Sequence, residues 1–260
     1  MIRLFTSVFA SQDPRRRKEY AEALLRNLAC EAIDQVCIFD ERAGDLPRDN
    51  PKIVLRRVHR RPDYADYFAW MNEVAADDDI SILANADIWF DEQLALFKNW
   101  LPSPNTAFAL ARWERDEAGH TRLRDRNDSQ DAWIFRGPVR PVTSDFPPGV
   151  PGCDNRMANE LAAAGYLVQN PSFSITSFHL HAGERGEYEG IGLEGRVAPP
   201  YAYVWPHNLW NLPRTVAHNI LHPDVRVRWR FDRRLWSRRF KVHLFRKGLT
   251  LIGLSRDEGR

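Results

Sequence analysis

Strand-like apolar runs alternate with stretches of helical periodicity over the first 113 residues, and this alternation constrains the fold more than any other feature of the sequence. Strands are predicted at 2–10, 33–39, 52–58, 80–84 and 106–113. Helices are predicted at 18–29, 64–76 and 92–101. Strands that alternate with helices form a mainly parallel sheet with helices on both faces. We therefore expect an α/β fold with a Rossmann-like central sheet, although the chain has no GxGxxG fingerprint.

Beyond residue 114 the pattern is less regular. A strand is predicted at 131–137, and a short helix is expected to begin with Asp154 as its N-cap and to end at Gly165. At least one further strand lies within 167–181, and the Pro- and aromatic-rich segment 199–213 is expected to be a loop.

Length and composition limit the class of protein. With 260 residues, 43% of them hydrophobic, the chain is long and apolar enough for one large folded domain, which excludes a wholly disordered or fibrous protein. No apolar run reaches the roughly 18 residues of a membrane-spanning helix, and the N-terminus does not resemble a signal peptide. The three cysteines, Cys30, Cys37 and Cys153, are scattered, so we expect buried thiols and a cytoplasmic protein.

Charge is unevenly distributed along the chain. Residues 214–260 contain 13 Lys and Arg against 4 Asp and Glu, a net charge of +9, whereas residues 1–213 carry a net charge of −7. We therefore expect a folded domain over 1–213 and a basic, aromatic C-terminal extension over 214–260.

Within that extension, residues 226–247 interleave Arg and Lys with Trp, Phe, Leu and Val. Three hypotheses fit this pattern: a peripheral contact with the inner face of an anionic membrane, a nucleic-acid surface, or a helix or hairpin docked on the domain. The nucleic-acid hypothesis ranks last because only this segment supports it.

The motif Asn85-Ala86-Asp87 directly follows the most apolar strand of the first half. A carboxylate at the end of such a strand points into the ligand crevice of an α/β sheet and can bind a hard divalent cation. The structural alternative is a turn that leads into a helix capped by Asp91.

Three further motifs carry polar side chains. By strand alternation His179 and His181 lie on one side of a strand, where they either ligate a metal or form ordinary hydrogen bonds. Asp154 at a helix start is either a cap or a general base. Asp131 precedes a strand, a common position for residues that line a site.

In order and spacing these motifs resemble the nucleotide-sugar glycosyltransferases of the GT-A fold. The resemblance covers about residues 2–182 and rests on the segments ILANADIWFD, SQDAWIF, PGCDNRMANELAAAGYLVQNPS and SFHLH. In that family a DxD-type motif ends a central strand. A downstream Asp or Glu opens a helix that commonly ends in a Gly-Tyr pair, and in some members a later histidine completes the metal site.

The resemblance implies a divalent cofactor, Mn²⁺ or Mg²⁺, and a set of ligands for it. Asp87 would be the principal metal ligand, with His181, or less favourably His179, as a further contact. Asn85 stands where the family usually has its first Asp, and we expect it to hydrogen-bond the ribose or the diphosphate.

The resemblance also assigns roles around the reacting sugar and the nucleotide. Asp154 takes the acceptor-base position of an inverting enzyme, and Asp131 lies near the donor sugar or the acceptor. The donor-binding residues are expected to include Asp40 on the base or ribose, Thr6 and Ser7 against the nucleotide, and Arg185 on the phosphates.

Tryptophan is abundant, with nine residues, and indole faces stack on sugar rings. We therefore consider Trp89, Trp133 and Trp205 candidates for acceptor binding, with core packing as the structural alternative for each.

These expectations together predict a metal-assisted glycosyltransferase that moves a sugar from a nucleotide-sugar donor to a saccharide or lipid-linked acceptor. A nucleotidyltransferase is a second hypothesis, weakened because the segment FASQDPRRRKE after the first strand has arginines but no glycine for a triphosphate loop. A non-catalytic carbohydrate- or lipid-binding module on the same fold is a third.

Overall fold

A computed structural model gives the architecture. It describes residues 1–9, 11–41, 46–47, 49–116, 118–180 and 195–236. The strands in chain order are β1 (Ile2–Val8), β2 (Gln35–Asp40), β3 (Ile53–Arg57), β4 (Ile80–Ala84), β5 (Ile88–Phe90), β6 (Thr106–Leu110), β7 (Trp113–Arg115), β8 (Thr121–Leu123), β9 (Ala132–Arg136), β10 (Leu167–Gln169) and β11 (Ser177–Leu180). The α-helices are α1 (Pro14–Ala29), α2 (Tyr64–Val74), α3 (Leu96–Asn99), α4 (Cys153–Ala163) and α5 (Leu212–Leu221).

Seven strands form the main sheet in the order β10-β6-β9-β4-β1-β2-β3. All neighbours in this sheet pair in parallel except β9, which runs antiparallel between β4 and β6. The predicted α/β fold with a mainly parallel central sheet is therefore confirmed.

Both faces of the main sheet are covered, as its apolar strands require. Successive residues of the central strands enter two different cores: Leu4 and Ile82 lie in one, and Phe5 and Leu83 lie in the other. All four side chains are buried. The three cysteines are also buried and free.

A second, four-stranded sheet has the order β5-β11-β7-β8. The sequence analysis expected one strand over 106–113, but the structure divides that segment into β6 and β7, which lie in different sheets. The division occurs at Ala111, whose N–H donates to the side chains of Ser172 (2.8 Å) and Asn170 (3.3 Å) instead of to a strand.

Local capping chemistry sets the helix boundaries. Asp13 accepts a hydrogen bond from the N–H of Arg15 and Pro14 occupies the first turn, so α1 begins four residues before the predicted segment 18–29. The helix expected at 92–101 is shorter: a 3-10 turn at Glu92–Ala95 precedes the single turn of α3. The N-cap of α4 is Gly152, not Asp154 as predicted.

The structure contains a helix, α5, in a region that the sequence analysis treated partly as loop and partly as C-terminal extension. Helix α5 spans the expected domain boundary between residues 213 and 214. The chain after it also packs on the main domain: Val227 is buried in the core, and Asn208 exchanges hydrogen bonds with the backbone of Arg230. Within the described residues, no helix is long and apolar enough to cross a bilayer.

Candidate active site

The candidate site lies at the edge of the main sheet where β4 and β6 end. Because β9 is antiparallel to both strands, its first residue lies at that same edge, opposite Ala84 and Leu110. The N–H of Asn85 donates to the carbonyl of Asp131 (3.1 Å), and the N–H of Asp131 donates to the carbonyl of Leu110 (2.8 Å). Two distant motifs of the sequence are thereby joined by backbone hydrogen bonds.

The Asp131 carboxylate is the centre of a small polar network. Its Oδ1 accepts from Nη1 of Arg112 (3.0 Å) and from Nδ2 of Asn85 (3.3 Å). Arg112 also lies 3.4 Å from Oε1 of Glu114. The second oxygen of Asp131, Oδ2, is buried and has no hydrogen-bond partner among the described residues. This oxygen is therefore an acceptor that the described residues leave unsatisfied.

The sequence analysis missed Arg112. Burial alone would lower its pKa, but the nearby carboxylates of Asp131 and Asp87 outweigh burial and raise the pKa above its usual value. The arginine therefore stays charged beside both acidic residues. Sequence reasoning placed Arg112 within the strand predicted at 106–113, and only the end of β6 at Leu110 brings it to the edge where ligands bind in α/β sheets.

Asp154 lies in the first turn of α4 and is oriented by two donors. The backbone N–H of Gln130 donates to its Oδ2 (3.2 Å), and Sγ of Cys153 donates to its Oδ1 (3.3 Å). Burial, with a contribution from the charge of Asp131, raises the pKa of Asp154 to about 7. The positive end of the helix favours the ionised form, but burial outweighs it.

The start of α4 depends on close backbone packing. Gly152 has φ +84°, and a Cβ atom there would lie 2.9 Å from the carbonyl oxygen of Val197 and 2.9 Å from the hydroxyl of Tyr201. The segment that contains Val197 and Tyr201 therefore lies directly against the turn that presents Asp154.

Three acid and imidazole side chains form a possible metal centre. Glu19 of α1, Asp87 after β4 and His179 of β11 each place one ligand atom within 4.8 Å of the others. Nε2 of His179 is 3.3 Å from Oδ2 of Asp87. Two carboxylate oxygens and one imidazole nitrogen fit a divalent ion such as Mn²⁺ better than Mg²⁺, which favours oxygen ligands.

The sequence analysis named two members of this group and missed the third. Asp87 and His179 lie together, whereas His181, the histidine it preferred, lies outside the described residues. Glu19 was not considered because it belongs to a different motif, the helix after β1. Its burial on α1 becomes apparent only in the folded structure, where a buried carboxylate usually has a functional or structural partner.

The residues expected to bind the nucleotide lie on the two neighbouring strands β1 and β2. Thr6 and Ser7 pair with Ile38 and Phe39, so they are near the carboxyl end of the sheet, and Asp40 is the last residue of β2. Asp40 is buried, with Nη2 of Arg57 at 3.9 Å from Oδ2. Arg185, expected on the phosphates, lies outside the described residues.

The three tryptophans expected to bind the acceptor have different surroundings. Trp133 is buried in the core with an edge contact to Tyr64, so the structure gives it no open face for a sugar. Trp89 is buried against Phe178, with the guanidinium of Arg26 4.6 Å from its ring centroid. Packing therefore accounts for both of these indoles. Trp205 is 50% exposed, with the guanidinium of Arg234 4.9 Å from its ring centroid.

A separate cleft lies beside the second sheet, with a volume of about 700 Å³. Its walls include Trp89, Trp113, Phe178 and three arginines, Arg26, Arg115 and Arg228. None of the carboxylates of the candidate site lines it. The chemistry therefore points to the sheet edge described above, and not to this cleft.

No protein-family model matches the chain, and no curated protein matches its sequence. Solved structures similar to this chain include a mannosyltransferase, PcManGT from Pyrobaculum calidifontis in complex with GDP-Man and Mn²⁺, at 14% identity and a TM-score of 0.44 over 72% of this chain and 58% of that one. They also include S. aureus TarS in complex with UDP-GlcNAc, at 8% identity and a TM-score of 0.47 over 74% of this chain and 61% of that one.

A third similar structure is a 4-diphosphocytidyl-2C-methyl-D-erythritol synthase from Anaerococcus prevotii, at 14% identity and a TM-score of 0.35 over 52% of this chain and 70% of that one. The glycosyltransferases among these structures are of the kind that the sequence motifs resemble. This chain spans about three fifths of their length. These likenesses concern the fold alone, and the functional argument therefore depends on this chain's own residues.

Proposed function

We propose that this protein is a glycosyltransferase that moves a sugar from a nucleotide-sugar donor to a hydroxyl group of a saccharide or lipid-linked acceptor. One observation carries the proposal. Three groups converge at the carboxyl edge of the main sheet. They are a candidate general base, an arginine paired with a carboxylate, and a set of two carboxylates and an imidazole. Sugar transfer from a nucleoside diphosphate needs a base for the incoming hydroxyl and positive charge for the leaving group.

Asp154 is the proposed general base. A pKa of about 7 is close to the optimum for proton transfer at neutral pH, and both of its oxygens are held by hydrogen bonds from Gln130 and Cys153. In its ionised form it takes the proton of the acceptor hydroxyl as that oxygen bonds to the anomeric carbon. The bond from that carbon to the diphosphate breaks on the opposite side, so the proposal predicts inversion.

Asp131 and Arg112 are proposed to position the donor. Arg112 forms an ion pair with one oxygen of Asp131 at 3.0 Å, so this carboxylate already has a cationic partner within the site. The other oxygen of Asp131 is a buried acceptor, suited to a sugar hydroxyl. Arg112, which lies near both Asp131 and Asp87, adds a fixed positive charge at the sheet edge.

Glu19, Asp87 and His179 are the residues that would hold a divalent cation. When bound there, Mn²⁺ or Mg²⁺ would offset the charge that develops on the nucleoside diphosphate leaving group. Without it, the same three side chains still orient one another, since the imidazole of His179 is in contact with the Asp87 carboxylate. Asn85 lies two residues before Asp87 in the chain, and its side chain donates a hydrogen bond to Asp131. It therefore links the candidate metal centre to the network around Asp131.

A thermal-shift screen tests donor binding directly. The protein is melted with UDP-, GDP-, CMP- and dTDP-linked sugars, each with and without Mn²⁺. A donor present at 100 times its Kd should stabilise the fold by about 2.7 kcal/mol, which is a shift of several degrees at this chain length. We expect one donor to give such a shift, and the shift to depend on Mn²⁺.

The matched variants are Asp87→Ala and Asp49→Ala. Asp87 belongs to the candidate metal centre, whereas Asp49 is exposed and outside the site. The proposal requires the shift to disappear in Asp87→Ala and to persist in Asp49→Ala. No shift with any donor, from a protein that melts cooperatively, would count against the proposal.

A further inference from the structure

Helix α5 has its apolar side turned away from the protein. Its outward residues are all apolar apart from Arg214: Leu212, Pro213, Val216, Ala217, Ile220 and Leu221. A surface helix of a water-soluble domain normally has the opposite arrangement, with the apolar stripe against the core. Ile220 and Leu221 are 73% and 74% exposed, the highest values among the large apolar side chains of the described residues.

The polar side of α5 holds it on the domain. Thr215 is buried, Nε2 of His218 lies 3.1 Å from the carbonyl oxygen of Val225, and Asn219 exchanges two hydrogen bonds with the backbone of Val227. These contacts fix the orientation of the helix. The apolar side therefore faces outward as a consequence of specific polar contacts, and turning it inward would break them.

The neighbouring chain adds aromatic and cationic groups. Trp229 is 37% exposed and Phe231 is 47% exposed. Five arginines between residues 214 and 233 are exposed, namely Arg214, Arg226, Arg228, Arg230 and Arg233. Within α5 and residues 225–233 the chain has five arginines against one aspartate, so this part of the chain combines exposed apolar side chains with positive charge. We call α5 together with residues 225–233 the α5 surface.

We infer that the α5 surface docks on an anionic lipid bilayer. At ten residues, α5 is about 15 Å long, far too short to cross a membrane, so it would lie in the interface plane with its apolar side among the acyl chains. The arginines would contact lipid phosphates, and Trp229 and Phe231 would occupy the interface.

Charge favours an anionic bilayer over two other occupants of the α5 surface, namely a second copy of the chain and the chain's own residues 237–247. A second copy of the chain would bring an equally cationic surface against this one. The chain's own residues 237–247, which contain five Lys and Arg and no Asp or Glu, would also bring like charge. An anionic membrane supplies both the opposite charge and the apolar phase that the outward side of α5 lacks.

Vesicle co-sedimentation of the full chain tests this inference. The vesicles are pure phosphatidylcholine, or phosphatidylcholine with 30% phosphatidylglycerol. The test variant is Ile220→Asp/Leu221→Asp. The matched control is Leu25→Asp/Leu167→Asp, which changes two leucines of similar exposure on other surfaces. Both variants should melt like the parent protein, because all four side chains are largely exposed.

We expect the parent and the control to bind anionic vesicles, and the test variant to bind them about tenfold more weakly or worse. Binding of parent and control should be much weaker to neutral vesicles and should fall with added salt. Equal binding of the test variant and the parent would overturn the inference, as would equal binding to neutral and anionic vesicles.

Two other results would also overturn it by identifying a different occupant. A dimer of the parent that the test variant dissociates, without vesicle binding, would identify a second copy. A lower melting temperature of the test variant, without vesicle binding by the parent, would identify the chain's own C-terminal residues. Vesicle binding does not use the donor site, so this inference and the proposed function stand or fall separately.

Discussion

Asp131 and Asp154 are two carboxyl groups of one site that meet different surroundings. Asp131 is buried and paired with Arg112, whereas Asp154 is half-buried and receives hydrogen bonds from a backbone N–H and a thiol. Pairs of carboxyl groups whose environments separate their protonation states are the usual basis for assigning different catalytic roles. The assignment of Asp154 as the base depends on this difference.

Replacement of Asp154 by Asn should stabilise the protein at alkaline pH. Because burial raises the pKa of Asp154 to about 7 from the usual value of about 3.9, the folded state retains a proton between these pH values that the unfolded state has lost. Stability contributed by this group therefore falls as pH rises from about 4 to 7. Asn does not ionise, so the variant does not lose stability in this way as the pH rises.

The measurement is the melting temperature of both proteins from pH 4 to 8. The advantage of Asp154→Asn should grow across this range and level off above pH 7. Asp49→Asn, at an exposed position, should show no such trend. A lower melting temperature for Asp154→Asn at every pH would contradict the assigned protonation behaviour.

Removal of Arg112 should be costly because it leaves Asp131 as a buried and uncompensated charge. We expect Arg112→Met to lower the free energy of unfolding by about 3 kcal/mol at pH 7. Arg112→Met/Asp131→Asn should recover part of that loss, since the buried charge is gone. Arg57→Met serves as control because Arg57 is 60% exposed and its contact with Asp40 is long, at 3.9 Å. The free energies of unfolding of the parent and the three variants are measured by urea unfolding. Equal losses of unfolding free energy for Arg112→Met and Arg57→Met would contradict the account.

At the scale of elements, the sequence predicted what depends on local periodicity. The strands and helices from β1 to β4 are close to their predicted positions because each has its own apolar pattern and caps. The second sheet was not predicted, because the break after β6 depends on Asn170 and Ser172, about sixty residues away. Helix α5 was missed because residues from 214 onward were treated as one basic extension, although Asn211 and Pro213 supply start signals for a helix there.

The turn before α4 gives a prediction at this scale. Gly152→Ala places a Cβ against the carbonyl of Val197, a backbone atom that cannot move aside as a side chain does. Gly119→Ala is the matched control: its φ is also positive, at +88°, but its Cβ meets only the guanidinium of Arg115 at 3.7 Å.

Both variants carry the cost of a positive φ, about 1 kcal/mol. Gly152→Ala should lose roughly 2 kcal/mol more because of the steric contact, measured by urea unfolding. It should also weaken donor-dependent activity, because the turn positions Asp154. Equal destabilisation by the two substitutions would show that the close approach at Gly152 has no energetic consequence.

At the scale of the whole molecule, the site is assembled from distant segments by the topology of the sheet. The motifs around Asp87, Asp131 and Asp154 were identifiable because each follows or precedes a predicted element. Arg112 and Glu19 were not, because their proximity depends on the strand order and on how α1 packs. For the same reason the burial of Trp133 could not be foreseen from its type.

The most direct test of the central claim is the product released from the nucleotide sugar that stabilises the fold. We expect the full chain with Mn²⁺ to release a nucleoside diphosphate. The rate should rise with pH to a plateau above about 7, and it should fall about 100-fold or more in Asp154→Asn. Loss in Asp87→Ala with retention in Asp49→Ala would place the reaction at the sheet edge. Release of pyrophosphate from a nucleoside triphosphate and a sugar phosphate, with no nucleoside diphosphate from any donor, would contradict the account and identify a nucleotidyltransferase.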